Sequence, residues 1–557
     1  AVGLGVVVSL AAIAFVDLVD WLNNVLLVSP RERVQIEEPS WLVPAATIAV
    51  PALGGLLVGA LIKYFSPEKR PLGPPDVVLS VQLRTPLPSA RGGVISTIAA
   101  AISLGFGASV GQYGPLVYLG ALLASAVQAL KLRINNIEAI AAACGVAAAI
   151  STAFNAPIAG LVFAHEVILR HYSMQAFAPV TVASATGYVI ANVMFDRPAL
   201  FLVDFAGVQH GHEFALFAGL GILAAGVAVL FMQLVLSSAQ LAQQLNINQI
   251  FRPAVAGLAV GITALWLPDV LGVGKETLRF ATIEGAFEGW ELAVLVIAKI
   301  ALTALCIGFG FAGGVFSPAL LIGILLGALF WTVLNATGMV VTSGIVVYAI
   351  CGMMALTSPV IGAPLTTILI VFELTRNYDL TIAAMVAVVL SNLVAYRIFG
   401  RSLFDVQLKK RGVDLSAGRD RARLSAARIA DFASSGFPRC TTDEINAHVA
   451  ERLAQTNWSE AYVADQSGIY LGTWRAQDMM REGKRSVEAI YRPAALVFDE
   501  TTTIWEAMRA LEGFVGDAVP LVEGQSRKLI GAVTEAAVIE AYLEIVQELR
   551  REENAAA

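Results

Sequence analysis

Deep in an apolar stretch the chain breaks at Gly111-Gln112-Tyr113-Gly114-Pro115, then turns apolar again from Leu116 to Gln128. This break constrains the fold most. Irregular backbone at membrane depth survives only where it is buried in protein or lines a watery path. Pro115 suits the first turn of a helix. A helix start there offers unpaired N–H groups and a partial positive charge of about half an electron. Such an end holds an anion without lysine or arginine. A second break of this kind is Gly313-Gly314-Val315-Phe316-Ser317-Pro318.

The surrounding composition makes these breaks intramembrane. Only 14% of the 557 residues are charged and 57% are hydrophobic, whereas soluble domains average about 25% charged. Charge is sparse from Ala1 to about Gly400 and frequent from Arg401 onward. There is no basic run of the kind nucleic acid needs. Cys144, Cys306, Cys351 and Cys440 form no close pair and read as small packing residues. No metal site is expected, since His210-x-His212 is weak metal evidence, and no nucleophile–base set points to an enzyme. No cleavable signal is read, and Ala1 opens straight into apolar sequence.

Apolar segments run over Val2–Val28, Trp41–Phe65, Leu116–Leu130, Ile137–Ile150, Pro157–Leu169 and Phe177–Phe195. Another begins at Arg91 and ends at Gly105-Phe106-Gly107. Several are nearer a dozen residues than the roughly 20 of a full crossing, which predicts half-helices. After a polar interval, Val203–Glu213, the pattern resumes to Phe399. The chain then repeats itself. Cys144-Gly145, Ser151, Ala156-Pro157 and Glu166 recur as Cys351-Gly352, Ser358, Ala363-Pro364 and Glu373, all offset by 373 − 166 = 207. Pro115 and Pro318 are offset by 203. Inverted repeats put a substrate site at the midplane, between broken helices.

The expected domains are a membrane domain over 1–405, with halves of about 1–202 and 203–405, a connector over 406–427, a soluble pair over 428–550 and a tail over 551–557. The soluble modules, about 428–485 and 486–550, each read as strand, helix, strand, strand. The fold class is thus an all-α polytopic membrane protein with two inverted repeats, followed by an α/β pair.

These residues resemble the CLC family of chloride channels and chloride/proton exchangers. The likeness rests on Gly111 to Pro115, Phe154-Asn155-Ala156-Pro157-Ile158-Ala159-Gly160, Gly314 to Pro318, and Glu373-Leu374-Thr375 with Asn377-Tyr378. The tail resembles a pair of CBS modules. The resemblance implies a homodimer in the lipid bilayer, each subunit with its own pore.

Departures from the family pattern matter more. Exchangers carry a proton-binding glutamate, the gate, at the position of Tyr113; a phenol, with an ordinary pKa of about 10, stays neutral at pH 7. A second relay glutamate corresponds to Val167. The serine of the first anion loop corresponds to Leu72, ahead of Gly73-Pro74, and the pore tyrosine to Phe404. The resemblance leaves the N–H groups of Val315 and Phe316 at the centre of the path and those of Gln112, Tyr113 and Gly114 at an outer site. Tyr113 reads either as a gap-filling aromatic or as a plug. Glu166, mate of Glu373, reads as a structural carboxylate or, with His165, as a replacement proton route. The family's nucleotide turn needs Ser or Thr followed three residues later by Asp. Here the pairs are Arg475 with Asp478 and Thr534 with Ala537. Each keeps half the pattern, so no cofactor is expected and a nucleotide is disfavoured. The expectation is passive anion conduction without proton coupling, chloride by default, at the plasma (inner) membrane with a cytoplasmic C-terminus. The alternatives are an atypical exchanger or selectivity for bicarbonate, nitrate or fluoride.

Overall fold

A computed structural model describes residues 1–27, 41–127, 136–196, 207–338, 342–456, 458–478, 486–514, 516 and 518–554. The predicted segment ends at Val28 and from Gln128 to Leu130, and the start of the polar interval at Val203, lie outside the described residues. Two compact units divide the chain, Ala1–Arg411 and a second that begins at Gly412.

The first unit is helical. Its first half holds α1 (Val2–Leu26), α2 (Leu42–Phe65), α3 (Pro74–Leu83), α4 (Ala90–Gly105), α5 (Tyr113–Ser125), α6 (Ile137–Phe154), α7 (Pro157–Phe163) and α8 (Met174–Tyr188). The second half holds α9 (His212–Gln244), α10 (Phe251–Thr263), α11 (Lys275–Phe280), α12 (Gly289–Gly308), α13 (Phe316–Ala336), α14 (Ile345–Ile361), α15 (Pro364–Thr375), α16 (Tyr378–Ile398) and α17 (Leu403–Lys410). Among the described residues, eight helices are long and apolar enough to cross a membrane, and six apolar helices are shorter. Long and short helices together match the broken pattern read from the sequence.

The repeat is carried by backbone geometry. α4 ends with Phe106 N–H donating to the Ile102 carbonyl and Ala108 N–H to that of Ser103. α12 ends with the same bonds 203 residues later, Phe309 to Leu305 and Phe311 to Cys306, since 309 − 106 = 203. Gly107 and Gly310, at φ +82 and +100, turn both connectors in a backbone region that favours glycine. Likewise α6 ends at Asn155 (φ 58) and α14 at Gly362 (φ 72), left-handed caps 207 apart. Each cap is followed by Ala-Pro, which starts the next helix with no N–H to satisfy.

Beyond the caps the halves differ by one residue. α7 continues as a π-helical turn over Ala164–Leu169 and ends at Arg170, whereas α15 ends at Arg376 without one. The Glu166–Glu373 offset is 207 but the Arg170–Arg376 offset is 376 − 170 = 206. A π-turn closes i→i+5 bonds and so takes in one extra residue.

The second unit contains α18 (Arg419–Ala426), β1 (Arg439–Cys440), α19 (Asn446–Ala454), β2 (Glu460–Ala464), β3 (Tyr470–Arg475), β4 (Phe498–Asp499), α20 (Ile504–Ala510), β5 (Ala518–Glu523), β6 (Lys528–Thr534) and α21 (Glu535–Asn554). Its two sheets are ordered β1-β2-β3 and β4-β5-β6, with the first pair parallel and the second antiparallel in each. This is the strand, helix, strand, strand order predicted for both copies. The connector expected over 406–427 is divided between the units. α17 closes the first, and Leu424 of α18 is buried in the core of the second with Ile504, Val519 and Val538.

Candidate anion site

The two Pro-led breaks meet. Gly111 N–H donates to the Gly314 carbonyl at 2.7 Å, and Gly314 N–H returns the bond to Gly111 at 2.8 Å. The partners are themselves repeat mates, 314 − 111 = 203, so this two-bond bridge joins equivalent points of the halves. Only glycine fits here. A Cβ on Gly314 would lie 2.8 Å from Gly114 N, and one on Gly114 would lie 2.8 Å from Gly314 Cα and 3.6 Å from Pro74 Cδ. The starts of α3, α5 and α13 are thereby brought together.

Several amides expected at the site are taken by the protein. Gln112 N–H donates to Ser317 Oγ at 3.2 Å, which corrects its expected place at the outer site. Leu72 N–H donates to Ser96 Oγ at 3.0 Å and Gly73 N–H to Asp76 Oδ2 at 3.0 Å. Among the described residues, the N–H groups of Tyr113, Gly114, Val315 and Phe316 have no acceptor. Pro115 and Pro318 each stand at the third helical position; the open donors are the first two residues of α5 and, at α13, the cap residue Val315 and the first residue Phe316.

An aromatic cluster covers these starts. Tyr113 stacks on Phe154 with centroids 3.9 Å apart and meets Phe316 edge-on at 5.3 Å. Phe154 and Phe316 lie 5.2 Å apart. Tyr113 is only 7% exposed. Phe154 was not singled out as a site residue from the sequence; its place just ahead of the Asn155 cap was the available signal. Leu72 and Phe404, without hydroxyls, are both buried. Ser402 caps α17 ahead of Phe404, accepting from Asp405 N–H at 3.2 Å, and Asp405 pairs with Arg170 at 2.7 Å.

Glu166 and Glu373 cap each other's halves. Glu166 accepts N–H bonds from Leu365 at 3.0 Å and Thr366 at 2.8 Å, plus the Thr366 hydroxyl at 2.7 Å. Glu373 accepts from Ile158 at 2.8 Å and Ala159 at 2.7 Å. The donors are again 207 apart, 365 − 158. Each carboxylate thus meets the positive N-terminus of the opposite Pro-led helix. His165 is buried, hydrogen-bonded through Nδ1 to the His171 carbonyl at 2.9 Å and stacked on Tyr172. Val167 is buried in the π-turn beside them.

Lys299, absent from the sequence-based site, is a lone cation inside apolar α12 and only 1% exposed. Its Nζ donates to the carbonyls of Val270 and Gly272, both at 2.8 Å. Gly272 N–H in turn holds the Gly107 carbonyl at 2.9 Å. One turn along α12, Thr303 bonds Ser109 at 2.9 Å. Lys299 and Thr303 together brace the loop that leads to Gly111.

The converging helix starts and the internal repeat agree with the comparisons. The family model described as voltage gated chloride channel matches residues 54–396. The chain belongs to this chloride channel family. A CBS domain matches residues 487–544. The chain is 29% identical over 371 residues to a putative chloride channel protein ClcB-like of Ralstonia nicotianae, covering 64% of this chain and 84% of that one. It is 27% identical over 416 residues to an H(+)/Cl(−) exchange transporter ClcA of Salmonella agona, covering 73% and 86%. The crystal structure of a eukaryotic CLC transporter aligns with TM-score 0.64 at 20% identity, covering 96% of each chain, and so shares the fold.

In the second unit the residues of the nucleotide turn have protein partners. Arg475 pairs with Glu460 at 2.8 Å, Asp478 with Arg492 at 3.4 Å, and Thr534 Oγ1 accepts the Ala537 N–H at 3.1 Å.

Proposed function

We propose that this member of the family conducts anions passively, chloride by default, without exchanging protons. One observation carries the reading. The side chain lying between the two helix starts is Tyr113, a neutral phenol held between Phe154 and Phe316. Among the described residues no carboxylate stands there to swing and titrate. Val167 offers no proton site, and the nearby Glu166 carboxylate already accepts three hydrogen bonds from the opposite half. The anion then rests on the open amides of Tyr113, Gly114, Val315 and Phe316. Without hydroxyls at Leu72 and Phe404, binding at the centre is weaker by about 0.5–1.5 kcal/mol per lost hydrogen bond. Weak binding favours throughput, because an anion held tightly does not leave. The protein works as a homodimer in the plasma membrane with its C-terminal unit in the cytoplasm.

The test is a liposome flux assay with imposed chloride and pH gradients, run over chloride, nitrate, bicarbonate and fluoride. Passive conduction dissipates an anion gradient with no proton movement. Chloride-driven uphill proton transport, the activity named for the Salmonella relative, overturns the reading.

A further inference from the structure

We propose that a basic cavity behind the second anion loop binds an anionic phosphoryl group. The cavity, of about 230 Å³, opens between α2, α9, α10 and the end of α12. Its polar lining comprises Lys69, Arg70, Gln243, Gln249 and Arg252, and no Asp or Glu lines it among the described residues. Its wall also includes Gly308, Phe309 and Gly310, the connector that leads to Gly314.

Not every charge here is neutralised. Lys69 Nζ donates to the Lys63 carbonyl at 3.0 Å and Arg252 Nε to the Ile247 carbonyl at 2.9 Å. Carbonyls orient these cations without cancelling them. Arg70 does face a carboxylate, Asp76, at 2.5 Å, but Arg411 shares that carboxylate at 2.9 Å. The Glu68 carboxylate also acts on Arg70, so this corner is balanced and the net positive charge of the cavity rests on Lys69 and Arg252. Lys63, whose carbonyl holds Lys69, donates to the neutral Asn248 amide at 3.1 Å and lies 5.8 Å from the centre of the Tyr64 ring.

The donor chemistry selects the ligand. The Arg70 fork is spent on Asp76 and Gln249 Nε2 on the Lys69 carbonyl, so the donors are those of Lys69, Arg252 and Gln243. A guanidinium and an amide N–H₂ group suit the several oxygens of a phosphate better than a monatomic halide. The setting selects the source. Tyr64 and Phe65 at the end of α2 and Phe251 beside Arg252 are exposed by half or more. Exposed aromatics beside Lys and Arg at the end of a spanning helix mark the headgroup level of a bilayer. The cavity also lies on the face where the first unit ends, since Arg411 reaches Asp76 beside it. A phospholipid headgroup therefore fits, and free phosphate shares its chemistry. Occupancy would bear on the Gly308–Gly310 connector; that consequence for flux rests on the conduction reading, whereas binding does not.

The experiment uses the full chain. Bound phospholipid is counted by native mass spectrometry, and thermal unfolding is followed, with phosphatidylglycerol or phosphatidylcholine supplied to the same detergent. A separate arm adds inorganic phosphate against chloride at equal ionic strength. Selective phosphatidylglycerol binding and stabilisation are expected. The K69Q/R252Q variant should lose about fivefold in apparent affinity per cation removed, and K69R/R252K should keep most of it. Stabilisation by inorganic phosphate through the same residues supports the phosphoryl site with a soluble source. Equal response of the native chain and a folded K69Q/R252Q variant to both probes overturns the proposal; if K69Q/R252Q does not fold, the single variant K69Q decides. Flux in pure phosphatidylcholine vesicles is measured separately, so a failed headgroup site and failed conduction remain distinguishable.

Discussion

The two halves of the membrane unit share their backbone and differ in their side chains. Gly111 and Gly314 exchange paired bonds, and the connectors before them repeat bond for bond. Yet the residue two places after each glycine is Tyr113 in one half and Phe316 in the other. The ring that stacks on Tyr113, Phe154, has Ile361 as its mate. The first half also carries the π-turn with His165, Glu166 and Val167, which the second lacks. Symmetry is kept where main-chain groups must be satisfied inside a bilayer. It is broken around the two helix starts proposed to hold the anion, where Tyr113 and Phe316 stand at equivalent places.

The largest effect expected from disturbing the shared part is at the bridge. Gly314→Ala drives a Cβ to within 2.8 Å of Gly114 N, and neither backbone can yield without parting the bridge. The expected cost is about 3 kcal/mol, the upper range for overpacking, with flux abolished. Gly344→Ala is the control, because no atom lies within 4 Å of its added Cβ. Thermal unfolding and flux of both variants in parallel check this; equal stability of the two would remove the bridge from its central place.

The reciprocal caps come next. Glu166→Ala and Glu373→Ala each leave two helix N–H groups without their acceptor, a loss of about 1.5–3 kcal/mol for bonds to a charged group. Glu166→Ala should cost somewhat more, since the Thr366 hydroxyl is a third donor. Neither should alter proton movement in the flux assay. A change in proton coupling specific to Glu166→Ala would break the comparison and revive a proton route through His165 and Glu166.

Tyr113→Phe sharpens it, making the two half-sites alike. If the ring alone obstructs the path, Tyr113→Phe keeps native flux and Tyr113→Ala raises it several-fold, about 1 kcal/mol off the barrier. Altered anion preference in Tyr113→Phe assigns the hydroxyl a contact with the ion. Native flux and preference in both variants leave Tyr113 as packing.

The smallest effect lies in the other repeated pair. Asp499 ends β4, where the first copy has buried Cys440. Its carboxylate accepts from Thr501 Oγ at 2.6 Å and Thr501 N–H at 2.8 Å, which lowers its pKa below the ordinary carboxylate range. A lowered folded pKa gives stability that is present above the unfolded value, about 3.9, and lost as pH falls through the folded one. The site is largely solvated, so the contribution is discounted to a few tenths of a kcal/mol. Asp499→Asn should flatten the acid limb of unfolding of the second copy, followed between pH 2 and 5, and leave the first copy unchanged.

Much of the fold was legible in the residues. Apolar runs too short to cross, the Ala-Pro pairs 207 apart, and the Gly-rich breaks before Pro115 and Pro318 required paired half-helices, because lipid leaves broken backbone no other partners. The order of strands in the soluble pair followed from alternation and turns. The contacts between halves were not legible. Which amides stay open depends on Ser317 taking Gln112 N–H and Ser96 taking that of Leu72, partners 205 and 24 residues away. The cross-capping of Glu166 and Glu373, the aromatic cover over Tyr113 and the bracing by Lys299 likewise join residues distant in the chain. Local sequence sets which backbone groups a helix start leaves unpaired; only packing decides whether a protein oxygen or a passing anion meets them.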